Sequence, residues 1–268
     1  MLKKDGFPAA LYRIYSECRL PRAAAALAYS LTLSVFPMLL CLGAVLRESF
    51  SSAQSIFSYL SGMLPQAEAE LLAAYLRFPG ESGGRALFSA GAATLLTSSS
   101  AAFRVLENAE ADIYGVKMLR SPRAVILSFA YSALFFAGIY LSCAVLLVGE
   151  SLSERAFSGA LSRFWTLMKY PAVFSLMYFM ILGTYKITSP PERRHVRRKT
   201  GAFFSSAAFS AVSVFFSAGI GRSMRYERVY GSIASVIILM TWFYTCSLIL
   251  LMGSAVNAAI YEKMIKNS

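Results

Sequence analysis

The sequence predicts an all-α fold: a polytopic transmembrane helix bundle of six spans, with an amphipathic helical hairpin after the first span. Three observations carry that expectation. Its 268 residues are 57% hydrophobic and 15% charged, whereas soluble domains run at roughly 45–50% apolar and about 25% charged. The apolar residues are gathered into long runs, and mean hydropathy is +0.55. Lys and Arg also divide unevenly between alternate connections. Seventeen lie in 1–22, 104–123, 186–199 and the C-terminal tail, against nine in 47–85, 150–169 and 221–230, while the acids split seven and seven. Basic residues concentrate on the cytoplasmic side of a membrane protein. This predicts a multi-pass membrane protein with both termini in the cytoplasm and 1–268 as a single transmembrane domain.

The elements follow in order. In residues 1–22, Phe7, Leu11, Tyr15 and Cys18 recur at helical spacing with Arg13 and Arg19 elsewhere, which predicts a short helix lying on the membrane surface. The first span, about 23–46, holds no Lys, Arg, Asp or Glu. At about 1.5 Å rise per residue it crosses a hydrocarbon core of roughly 30 Å. Its start after residue 22 and its polar interior argue against a cleaved leader. Tyr29, Ser30, Thr32, Ser34 and Pro37 interrupt it. An outer hairpin over 50–78 follows. Ile56, Phe57, Leu60, Met63 and Leu64, then Leu71, Leu72, Tyr75 and Leu76, keep helical periodicity on either side of Pro65.

The second span, about 86–105, is built from small residues and hydroxyls, which let helices approach closely. It ends in a charge cluster of Arg104, Glu107 and Asn108, with Glu110, Asp112 and Lys117 beyond. A salt-bridged helix end accounts for these charges. Spans three to six are expected at about 124–149, 169–189, 201–220 and 231–258, and the basic run at 191–199 is the strongest vote for orientation. Ile113-Tyr114-Gly115 resembles Val229-Tyr230-Gly231, but the surrounding spans do not align at that offset, so no internal repeat is supported.

Several function classes lose ground at this level. A net charge of +12 would suggest nucleic acid in a soluble protein, yet here positive-inside bias explains it and no nucleic-acid partner is expected. Cys18, Cys41, Cys143 and Cys246 have no metal-ligand spacing. The lone histidine, His195, sits among arginines. Without an acid–base pair, a P-loop, a GxGxxG or a GxSxG motif, the expectation is no enzyme, no catalytic residue, no metal and no cofactor. A polar path remains as a candidate: Tyr29, Ser30, Thr32, Ser34 and Pro37 of span one, Thr94, Thr97, Ser98, Ser99 and Ser100 of span two, and Asn257 of span six. The competing reading is helix packing through hydroxyls, worth about 0.6 kcal/mol per contact. Arg222, Arg225 and Arg228 recur every third residue and could meet lipid phosphates, or simply be a solvated helix end. No span carries a central Asp or Glu, which weighs against proton coupling.

Four stretches carry a family resemblance: AAALAYSLTLSVFPMLL, ENAEADIYGVK, PERRHVRRKTGAFFS and YGSIASVIILMTWFYTCSLILLMGSAVNA. In this order the chain resembles the YihY/BrkB family of inner-membrane proteins over about residues 10 to 260. The resemblance implies six transmembrane helices with cytoplasmic ends. It implies no settled activity, since members have been called virulence-associated, suspected of lipid or solute transport, and labelled ribonuclease BN. Members commonly carry an acid in a last-span pattern like G-A-E-x-N-A. Here Ala255 stands at the acid's place within Gly253-Ser254-Ala255-Val256-Asn257-Ala258, while Asn257 matches.

The expected function is a transporter or flippase of an amphipathic or lipid-like substrate, with membrane lipids as partners. The alternative is a non-transporting scaffold for envelope proteins. A homo-oligomer or an envelope-protein partner fits either reading.

Overall fold

The structure, a computed structural model, describes residues 6–49, 81–116, 138, 160–190, 198–220 and 232–266. Six helices run through them: α1 (Phe7–Glu17), α2 (Leu20–Ser49), α3 (Glu81–Ile113), α4 (Ala160–Thr188), α5 (Lys199–Ile220) and α6 (Ser232–Lys266). No strand occurs among the described residues, and the fold is all-α as expected. The outer hairpin at 50–78, Arg222, Arg225, Arg228 and His195 lie outside the described residues. So does the third expected span, apart from Gly138, which is helical.

α1 starts at Gly6, whose extended backbone (φ −60°, ψ 159°) leads into a first turn containing Pro8. Proline fixes φ where its missing N–H costs nothing. The helix docks through Ala10 and Ile14, one turn apart and buried. Leu11, Tyr15 and Cys18 pack at the edge of that contact, and Phe7 is exposed. The buried stripe is therefore centred on Ala10 and Ile14 rather than on Phe7 and Leu11, because the small Ala10 side chain allows close approach to the bundle. Arg13 Nη2 donates to Glu262 Oε2 of α6 at 2.6 Å. Arg19, at φ +50°, turns the chain from α1 into α2. Non-glycine residues take up this left-handed conformation rarely.

α6 is the hub, packing against α1, α2, α3 and α5. Its small residues Ala255, Ala258 and Ala259 join Leu251 in one core with Leu20, Ala24 and Leu27 of α2 and Ala102, Leu106, Ala109 and Ile113 of α3. Ala255, at the family's acid position, is fully buried in that apolar contact. A second cluster unites Ile181, Leu182 and Tyr185 of α4 with Ala202 of α5, flanked by Leu250 of α6.

The α5–α6 crossing is set by two glycines. A Cβ on Gly201 would collide with the carbonyl oxygen of Gly253. A Cβ on Gly253 would lie 2.7 Å from the Gly201 carbonyl oxygen and collide with Ser205 Oγ and Tyr185 Oη. Only backbone fits at this contact.

Large apolar side chains remain on the outside: Phe179 of α4, Phe203, Val214 and Phe215 of α5, and Ile237 of α6. Among the described residues, Val236–Met264 is long and apolar enough to cross a membrane, and only 22% of its apolar stretch is buried. A helix in a soluble core would be mostly covered, so this exposure matches an apolar solvent.

Candidate functional site

The hydroxyls of α2 and α3 are occupied by their own helices. Ser30 Oγ donates to Ala26 O, Thr32 Oγ1 to Ala28 O, Thr94 Oγ1 to Ala90 O and Thr97 Oγ1 to Ala93 O. Ser99, which is buried, donates to Leu95 O at 2.7 Å. This bonding to the carbonyl four residues back is what hydroxyls do when an apolar surrounding offers no water. Between the helices, Ser34 Oγ and Ser98 Oγ meet at 3.0 Å. Tyr29 points outward at 57% exposure, while Pro37 is buried. The hydroxyls of α2 and α3 thus lie in a packed seam joined at Ser34–Ser98.

Asn257 of α6 sits elsewhere. Its Oδ1 accepts the Gly201 N–H at 2.7 Å, one of the N-terminal amides of α5 that has no partner within its own helix. Asn257 is therefore a cap supplied from another helix, and it is 1% exposed. With Oδ1 committed, the amide nitrogen is buried without a hydrogen-bond partner among the described residues.

At the end of α3, Arg104 donates to Ser100 Oγ at 3.2 Å, and Asn108 faces outward. Glu107 is buried, and burial raises its carboxyl pKa against the opposing pull of Arg104. Glu110 departs from the expected solvated, salt-bridged helix end. It is fully buried, because α4, the start of α5 and α6 close over that face of α3. The sequence left this hidden: Glu107 and Glu110 share the spacing of an ordinary charged helix terminus. The available signal was the family-like ENAEADIYGVK stretch, where small residues alternate with acids.

Around Glu110 the hydrogen bonds can be counted. Ser189 Oγ lies 3.4 Å from Glu110 Oε2 and donates to Tyr185 O at 2.5 Å. It accepts from Arg198 Nε at 3.1 Å. Ser254 of α6 faces the same carboxyl group, yet among the described residues neither its Oγ nor Glu110 Oε1 has a hydrogen-bond partner. Burial raises the Glu110 carboxyl to about 7 from 4.5, while Ser254, Ser189 and Arg198 pull it down. The adjoining Tyr114 phenol is raised by burial and by the charge of Glu110. A few residues away, Tyr185 Oη donates to Leu250 O at 2.6 Å and Ser205 Oγ to Ile249 O at 3.0 Å, tying α4 and α5 to the α6 backbone.

An all-helical chain with apolar outer faces and a polar, charged junction inside one end belongs to the class of helical membrane proteins. A family model described as "Virulence factor BrkB" matches residues 11–268, and the chain belongs to that family. The UPF0761 membrane protein of Vibrio vulnificus strain YJ016 is 26% identical over 250 residues, covering 88% of this chain and 76% of its own. A ribonuclease-like protein of Bacillus subtilis, YfkH, is 24% identical over 246 residues, 89% of each chain. A UPF0761 membrane protein of Vibrio cholerae is 25% identical over 171 residues, 61% of this chain and 56% of its own. No solved structure matches. The ribonuclease-like name is a property of YfkH.

Proposed function

We propose that this protein is a multi-pass protein of the bacterial cytoplasmic membrane, both termini cytoplasmic, that transports or flips an amphipathic substrate. The carrying observation is the junction of α3, α4, α5 and α6, where Glu110, Arg198, Ser189, Ser254 and Asn257 are all buried. Taking charged and polar groups out of water costs several kcal/mol per ion unless they are well paired. Buried ionisable groups held against that cost cluster at functional sites. Apolar packing alone would have no need of them. The seam between α2 and α3 lends less support to a path, since its hydroxyls are spent on local carbonyls. In this reading the substrate meets the polar junction rather than span one. Pro37 is left with a hinge role, and Arg222, Arg225 and Arg228 with contacts to lipid phosphates.

Reconstitution into liposomes tests the proposal, with fluorescent phospholipids for flipping and a panel of charged and zwitterionic solutes for flux. The expected result is movement above protein-free liposomes for at least one substrate, reduced several-fold in Glu110→Ala at equal protein incorporation. A broad panel that moves no faster than through empty liposomes overturns it.

A further inference from the structure

We propose that Glu110 is a proton-binding site that carries its proton inside the helix junction. The hydrogen-bond inventory leads there. A serine hydroxyl has one hydrogen to give and two lone pairs to offer. Ser189 gives its hydrogen to Tyr185 O and takes one from Arg198 Nε. Glu110 Oε2 lies farther from Ser189 Oγ, at 3.4 Å against 2.5 Å for Tyr185 O, and is the poorer acceptor for that one hydrogen. An ionised carboxylate can only accept, so it is left with a long contact here while Ser189 keeps a lone pair free. A neutral carboxyl group can donate from Oε2 to that lone pair, while the Ser254 hydroxyl can donate to the carboxyl group in either state and more strongly to the ionised one. Protonation therefore gives Oε2 and Ser189 a bond that the ionised form lacks. Ionisation places a charge on a fully buried group whose Oε1 has no hydrogen-bond partner among the described residues.

The surroundings support the same balance from every helix packed on Glu110. On α3, Tyr114 is a buried phenol beside it, and Glu107 pairs its field with Arg104 instead. α4 brings Tyr185 and Ser189. The start of α5 brings Arg198, whose positive charge favours the ionised form, and α6 brings Ser254. The α2 face in the neighbouring core is apolar, with Leu20, Ala24 and Leu27. Burial holds the proton on, and Ser254, Ser189 and Arg198 help it leave. On loading, a proton from water bonds to Oε2. On release that O–H bond breaks, its electron pair stays on the carboxylate and the proton departs as hydronium. No other reactant is needed. The site stands whether the substrate is a lipid or a solute, and its test makes no use of flux.

Infrared difference spectroscopy on the full-length protein in lipid, titrated across roughly pH 5 to 9 where buried carboxyls ionise, reads this proton directly. The expected result is a protonated-carboxyl carbonyl band near neutral pH that is lost on alkalinisation, shifts in heavy water and is absent in Glu110→Gln. A band unchanged in Glu110→Gln, or its absence throughout the titration, overturns the assignment. Ser254→Ala guards against a misfolded glutamine variant. Removing a hydroxyl able to donate to the ionised form should move the midpoint to higher pH, and an unmoved midpoint overturns the assignment as well.

Discussion

Gly253 lies in the middle of a 35-residue helix, where glycine costs about 1 kcal/mol of helix propensity relative to alanine. Its place is explained by the backbone of α5 passing where a side chain would be. Gly253→Ala should therefore lower stability by about 1–3 kcal/mol, the usual range for overpacking a close contact, despite alanine's better propensity. Thermal unfolding in detergent checks this: a variant as stable as the parent would mean that the two helices can separate at no cost. Glu110 makes the complementary point about what one residue discloses. Its neighbours in sequence describe a solvated helix end, and its neighbours in space are Ser189, Arg198 and Ser254 from three other segments. Charge and spacing are local properties, whereas burial depends on which helices arrive, so periodicity could not reveal it.

The helices themselves were largely legible. The runs expected at 23–46, 86–105, 169–189, 201–220 and 231–258 correspond to α2, α3, α4, α5 and α6. Their ends were not. α3 continues to Ile113, because hydropathy registers only the apolar portion while Glu107, Ala109 and Glu110 remain good helix formers. Asn257 stood out in sequence as a polar residue in the last apolar run. Its partner, the first turn of α5, becomes visible only once α5 and α6 cross. Asn257→Ala removes the acceptor for Gly201 N–H and should cost about 1 kcal/mol, as losing a helix cap does. Asn257→Asp keeps that acceptor and should retain more stability than the alanine variant. Paired denaturation curves decide it; equal losses in both would argue that the amide nitrogen, not Oδ1, matters.

For the molecule as a whole, Glu110 links stability to pH. Its carboxyl is raised to about 7 in the fold from 4.5, so between those values the native state holds a proton that the unfolded chain has released. Stability is then fully present below about pH 4.5, falls as pH rises, and is lost above about 7. The loss is at most a few kcal/mol, since each pKa unit is worth about 1.4 kcal/mol. Melting temperature against pH should slope downward over this window in the parent and flatten in Glu110→Gln. A parallel slope in both would assign it to other groups.

The junction of α1 with α6 has a consequence for the time order of biogenesis. Arg13 and Glu262 are 249 residues apart in the chain, which at about 5–20 residues per second is roughly 12 to 50 s of translation. α1 leaves the ribosome well before α6, so one of the surfaces covering Ala10 and Ile14 is made long after the helix it covers. Until then α1 has no α6 to dock on, and its contact with α2 is the one it can make. The Arg13–Glu262 pair forms only once α6 has been made.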